Sequence, residues 1–238
     1  MTDTHDAPQQ ARPPGADLGR RGLLQLSGAG GALSVLNLRS AKAQDMSDGA
    51  NNFYISEGVT TQRVTFQNQY QLSVAGNLLL PKGLDGNARS PAIVVGHPMG
   101  AVKEQSANLY ATKLAERGFV AMSIDLPFRG ESEGQPRNLV SPDIYAEAFS
   151  AAVDFLGTRP FVDRSRIGAL GICGSGSFVI SAAKIDPRMR AVATVSMYDM
   201  GAASRNALNH SQTVEQRKRI IAAAAEQRYA EFAGGETE

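Results

Sequence analysis

The stretch RIGALGICGSGSFVI, residues 166–180, decides how this chain folds. Residues 166–170 read as a short strand buried on both faces. Gly171-Ile172-Cys173-Gly174-Ser175-Gly176 predicts a sharp turn, and a helix is expected over 177–185. A reactive side chain framed by small residues, between a strand and a helix, is the pattern of a nucleophile elbow. Such a turn lifts that side chain above the sheet edge. Here it is Cys173. The start of a helix favours negative charge, and so a thiolate over a thiol. The plainer reading makes Cys173 a small apolar residue at a strand end. The strand before it, the helix after it and the loops upstream favour the elbow.

Upstream, strands alternate with helices. Residues 92–95 (AIVV) are a short, wholly apolar strand, followed by the loop Gly96-His97-Pro98-Met99-Gly100. Residues 105–117 carry a helical stripe of Leu109, Ala111, Leu114 and Ala115, stopped by Gly118. A strand is expected over 119–124, a polar, Gly-rich loop over 125–136 and a helix over 143–156. Residues 191–196 (AVATVS) give the last strand. All-apolar strands joined by helices predict a mostly parallel sheet covered on both faces. Before this unit, residues 61–67 alternate and residues 72–80 run apolar to Pro81, which predicts an antiparallel hairpin. After it, residues 213–232 predict a long helix opened by a Thr213/Gln216 capping box. Its apolar stripe (Ile220, Ile221, Ala224, Ala225, Phe232) is thin, so it reads as a cap or lid.

The chain has 238 residues, a net charge of +1 and 42% apolar content, which suits one globular core. The near-neutral charge argues against a nucleic-acid partner. A single cysteine excludes an internal disulfide. Residues 1–16 are polar and Pro-bearing, and are expected to be disordered. Paired Arg20-Arg21, a weakly apolar run and Ala41-Lys42-Ala43 follow in the order of an export signal. They resemble a twin-arginine leader, with cleavage expected after Ala43 and a periplasmic or secreted product. The expected organisation is a leader over 1–43, an α/β core over 44–212 and a cap helix with its tail over 213–238.

The hairpin, the His97-Pro98-Met99-Gly100 loop, the Asp125-Leu-Pro-Phe-Arg129-Gly130-Glu-Ser132 loop and the Cys173 elbow together resemble the α/β-hydrolase fold over residues 60–232. The cysteine at the elbow is similar to dienelactone-hydrolase-like members. That resemblance implies attack by the Cys173 thiolate on an ester, thioester or lactone carbonyl, giving an acyl-enzyme. It implies an oxyanion hole from the backbone N–H groups of Gly174 and Met99. By the same resemblance His97 holds the oxyanion loop rather than acting as base. Asp125 and Arg129 read as loop organisers, with a substrate carboxylate at Arg129 as the alternative. Ser175 fills a position that needs a small residue. No cofactor and no metal is implied. The partner is a small ester or lactone.

The chain departs from the family pattern after Cys173. The family order is nucleophile, acid, base, with the last two after later strands. Only one further strand and one long helix are legible here. Asp199 and His210 stand in the right order but only eleven positions apart, too close for a strand-helix-strand between them. A loop aspartate and a solvated histidine are the plainer readings. The chain therefore reads as a hydrolase cut short after about the sixth strand, as a degenerate, non-catalytic binding relative, or as one completed by another chain. A thiol redox protein is the weakest alternative, because no second cysteine exists to resolve it.

Overall fold

The computed structural model describes residues 52–85 and 88–236. The leader expected over 1–43 lies outside them. The fold begins with a hairpin of β1 (Val59–Gln67) and β2 (Ser73–Pro81), paired antiparallel with Val64 opposite Gly76. Next come β3 (Ser90–Gly96), α1 (Ser106–Ala115), β4 (Val120–Ile124), α2 (Pro142–Gly157), β5 (Val162–Ile172), α3 (Ser175–Ala183) and β6 (Met189–Val195). Two further helices close the described chain: α4 (Met200–Asn206) and α5 (Val214–Phe232).

These strands form one six-stranded sheet in the order β1-β2-β4-β3-β5-β6. β2 runs antiparallel to β4, and β3 pairs in parallel with both β4 and β5. Of the strands expected from all-apolar runs, β3, β4 and β5 are central and β6 lies at the edge, and every residue of β4 is buried. Successive side chains alternate between two cores, as a period of two requires. Val94 and Met122 face the larger core with Tyr145, Phe149 and Phe178, while Val95 and Ala121 face the smaller one. α2 and α3 cover the first face. On the second, Ala107, Ala111 and Ala115 recur every four residues along α1, and their small side chains let that helix lie close on the sheet. Tyr145 of α2 meets Phe178 of α3 edge to face, with ring centroids 5.0 Å apart.

Three expectations shift. α3 begins at Ser175, two residues before the predicted start, because the elbow turn passes directly into the helix. α4 was not legible: MGAASRN buries no residue and so has no apolar period to read. The capping box of α5 forms as predicted, with Gln216 N–H donating to Thr213 Oγ1 and Thr213 N–H donating to Gln216 Oε1. α5, read as a cap or lid, buries no side chain, so its thin apolar stripe is open and caps nothing among the described residues. β6 is also open, with residues 190–194 exposed.

Candidate active site

The elbow forms where the sequence places it. β5 ends at Ile172, α3 starts at Ser175, and Cys173 between them has φ 54°. That left-handed conformation is costly for a side chain with a Cβ, and it persists because the surroundings enforce it. The Cys173 N–H donates to Val195 O at 2.9 Å. Its carbonyl accepts the N–H groups of Gly176 and Tyr198 at 3.0 and 3.1 Å. The turn is thereby pinned between β6 and its own helix. Cys173 is half-buried.

The glycines act by letting other groups approach. A Cβ on Gly171 would lie 2.4 Å from the Ser175 carbonyl oxygen, so only glycine lets the helix turn back on the strand. Gly174 has ordinary helical dihedrals, φ −58° and ψ −35°. Its lack of a side chain serves space instead: a Cβ there would lie 3.1 Å from Met99 Cβ and 3.4 Å from Met200 Sδ. The β3–α1 loop thus comes directly against the start of α3. The backbone N–H groups of Met99 and Gly174 donate no hydrogen bond among the described residues. Met99 therefore packs against Gly174, the residue after Cys173, and both backbone N–H groups are without a partner among the described residues.

His97 is 1% exposed, and both its ring nitrogens are engaged. Nε2 accepts the Leu126 N–H at 3.2 Å. Nδ1 must then carry the proton, which it donates to Pro98 O at 2.7 Å. Burial is the main influence on its pKa and lowers it, against a smaller opposing effect of the Pro98 hydrogen bond. His97 is thus a neutral strut joining the loop after β3 to the loop after β4. The Ser175 hydroxyl donates to His97 O, so Ser175 holds the same loop against α3.

Asp125 is fully buried and organises the loop after β4, as expected. Its carboxylate accepts the Glu131 N–H at 2.9 Å and the Lys103 N–H at 2.8 Å. Arg129 donates to Asn138 through Nη1 and Nη2, while its buried Nε has no partner.

Lys103 was missed by sequence reasoning, because a lone lysine in a loop reads as surface. It is fully buried, and its ammonium bonds Glu104, Asp125 and Glu131 at 2.6, 2.8 and 2.7 Å. Burial alone would lower its pKa, but these three hydrogen bonds outweigh burial and raise it. The same three carboxylates converge within 4.8 Å of one another, a metal-like grouping that sequence spacing did not suggest. The lysine ammonium already sits among them.

Asp199 and His210 are not joined to Cys173 by any hydrogen bond among the described residues. Asp199 caps α4, accepting the Ala202 N–H at 2.8 Å. His210 lies exposed in a short 3-10 turn, Leu208–His210, with φ 56°. Asp199 thus serves a helix end where a loop aspartate was the plainer expectation.

A mixed sheet with helices on both faces and a strained residue between β5 and α3 defines the class as α/β-hydrolase. The chain belongs to the dienelactone hydrolase family, whose family model matches residues 75–230. It is 49% identical over 183 residues to the uncharacterized protein PA2218 of Pseudomonas aeruginosa, covering 77% of this chain and 49% of that protein. The crystal structure of that protein superposes with TM-score 0.74 at 48% identity, covering 78% of this chain and 58% of the other. The thiohydrolase aneE of Aspergillus aculeatus is 35% identical over 140 residues, 59% of this chain and 42% of that protein. The α/β-hydrolase GrgF of Penicillium matches in fold, with TM-score 0.64 at 23% identity over 75% of this chain and 57% of the other. The chain spans about half the length of the curated relatives it matches.

Proposed function

We propose that Cys173 is the nucleophile of a hydrolase acting on small esters, thioesters or lactones through an acyl-enzyme. The thiolate sulfur attacks the carbonyl carbon, and the carbonyl π pair moves onto oxygen. The resulting oxyanion accepts the Met99 and Gly174 N–H groups. Collapse breaks the bond to the leaving oxygen or sulfur, which departs with the electron pair and takes a proton from water, and leaves an S-acyl cysteine. One observation carries this reading: the left-handed Cys173 is followed by Gly174, against which Met99 packs, on a loop held by His97 and Ser175, and neither the Gly174 nor the Met99 N–H has a partner among the described residues. Losing one such donor typically costs about 3 kcal/mol of barrier. The thiohydrolase relative supports thioesters within the substrate class.

The acyl group is proposed to lie in a cavity of about 530 Å³ between α3, α4 and the segment before α2. Met197 and Met200 line it, and Met200 also abuts Gly174. Met200→Trp is expected to exclude long acyl chains while sparing acetyl esters, measured as the ratio of kcat/KM values. Equal loss on both would place the acyl chain elsewhere.

Export belongs to the same proposal. Intact mass of the protein secreted from its host is expected to begin at Gln44. Exported protein that retained the leader would contradict it.

A further inference from the structure

We propose that Lys103 is a positioning residue for acylation, fixing the β3–α1 loop so that the Met99 N–H stays beside that of Gly174; this rests on Cys173 being the nucleophile. The loop between Gly96 and Ser106 has no regular structure of its own. It is held at two ends. Near β3, the His97 ring bridges to Leu126, and Ser175 holds the His97 carbonyl. Near α1, Lys103 is held twice by one carboxylate, its N–H at 2.8 Å from Asp125 Oδ1 and its ammonium at 2.8 Å from Oδ2. Met99 lies between the two anchors. Without the second, the loop would swing on the first.

A stability role alone accounts poorly for this design. Taking a charge pair out of water costs about as much as the pair returns, so an apolar pair of similar volume would hold the fold as well. What the ion pair adds is direction. Asp125 accepts from Lys103 and from Glu131 N–H at fixed angles, and Glu104 and Glu131 complete the ammonium's three hydrogen bonds. The β4–α2 loop is itself braced, with Ser132 Oγ donating to Asp125 O and Arg137 donating to the carbonyls of Ser132 and Gly130. Lys103 therefore ties the oxyanion loop to a rigid neighbour.

The test compares two reactions of Cys173 in the full-length chain. p-Nitrophenyl acetate acylates sulfur with loss of p-nitrophenolate and needs the oxyanion hole. Iodoacetamide alkylates the same sulfur by displacing iodide at a saturated carbon and forms no oxyanion. Lys103→Met is expected to lower the acylation rate about 100-fold, the size of losing one oxyanion donor. Alkylation is expected to stay within about threefold. Asp125→Asn keeps one acceptor and the same shape, and is expected to show the same selectivity at about tenfold. Where Lys103→Met does not fold, the Asp125→Asn comparison decides. Equal loss of both reactions in a folded variant, loss of neither, or failure of both variants to fold would overturn the proposal. An unmodified Cys173 in the wild-type chain after exposure to the ester would instead remove the nucleophile reading beneath it.

Discussion

The centre of the sheet and its β6 edge are built differently. Around β3, β4 and the elbow both faces are covered: α1 lies on one, α2 and α3 on the other, and three anchors tie the loops together. Toward β6 no helix among the described residues covers the second face. A groove of about 400 Å³, walled by Ile93, Leu114, Phe119, Leu170 and Val192, runs over β5 and β6 with almost wholly apolar walls. Val192 is 40% exposed, and α5 beyond it buries nothing. The same chain thus holds a locked region that carries the proposed chemistry and an open region that touches it only through backbone bonds at the C-terminal end of β6 and the turn after it. Positioning at the elbow comes from the locked side, with β6 contributing one carbonyl, Val195 O, and the turn after it the Tyr198 N–H.

Substitutions can break or sharpen this contrast. Phe149 is fully buried between the sheet and α2 on the locked side. Phe149→Ala is expected to cost about 3–5 kcal/mol of stability in urea unfolding. A cost below about 1 kcal/mol would mean that the locked side is as loose as the open one. Gly171→Ala forces a Cβ against the Ser175 carbonyl and is expected to cost about 1–3 kcal/mol, with a matching loss of acylation as the elbow shifts. Unchanged acylation would show that the turn tolerates displacement.

A smaller effect concerns pH. Burial holds the His97 pKa below that of the unfolded chain, about 6.5, so the unfolded state takes up protons first as pH falls. The stability contributed by neutral His97 is present above about pH 6.5 and is lost as pH falls below it, until the folded imidazole itself protonates. Melting temperatures between pH 5 and 8 are expected to show that decline, and His97→Gln to flatten it. Parallel profiles for both proteins would remove the neutral strut. The smallest effect is expected on the open side. Phe232 is 96% exposed, and Phe232→Ala is expected to change stability by less than about 0.5 kcal/mol. A larger change would mean that α5 packs on something in solution.

What the sequence made legible follows the same division. β3, β4 and the second half of β5 declare themselves because central parallel strands run nearly unbroken in apolar residues, whereas the first half of β5, with Asp163, Arg164, Ser165 and Arg166, gives no such signal; the elbow declares itself because its glycines are demanded by close approach. His97 was read as a loop support only through the family resemblance, and its neutral tautomer is visible only once Leu126 and Pro98 are seen around the ring. Lys103 was not legible, since nothing in Ala-Val-Lys-Glu-Gln marks one lysine as buried; two of its three partners, Asp125 and Glu131, come from a loop more than twenty residues away. α4 was hidden for the opposite reason, since an exposed seven-residue helix leaves no apolar period.

The nucleophile is tested most directly by mixing the full-length chain and Cys173→Ala with p-nitrophenyl acetate and reading the nitrophenolate burst and the intact mass. The account predicts a burst of one equivalent and one acetyl group on Cys173 in the wild type, and neither in the variant. A folded wild-type chain without an acetyl group on Cys173, or an equal burst from Cys173→Ala, would contradict it.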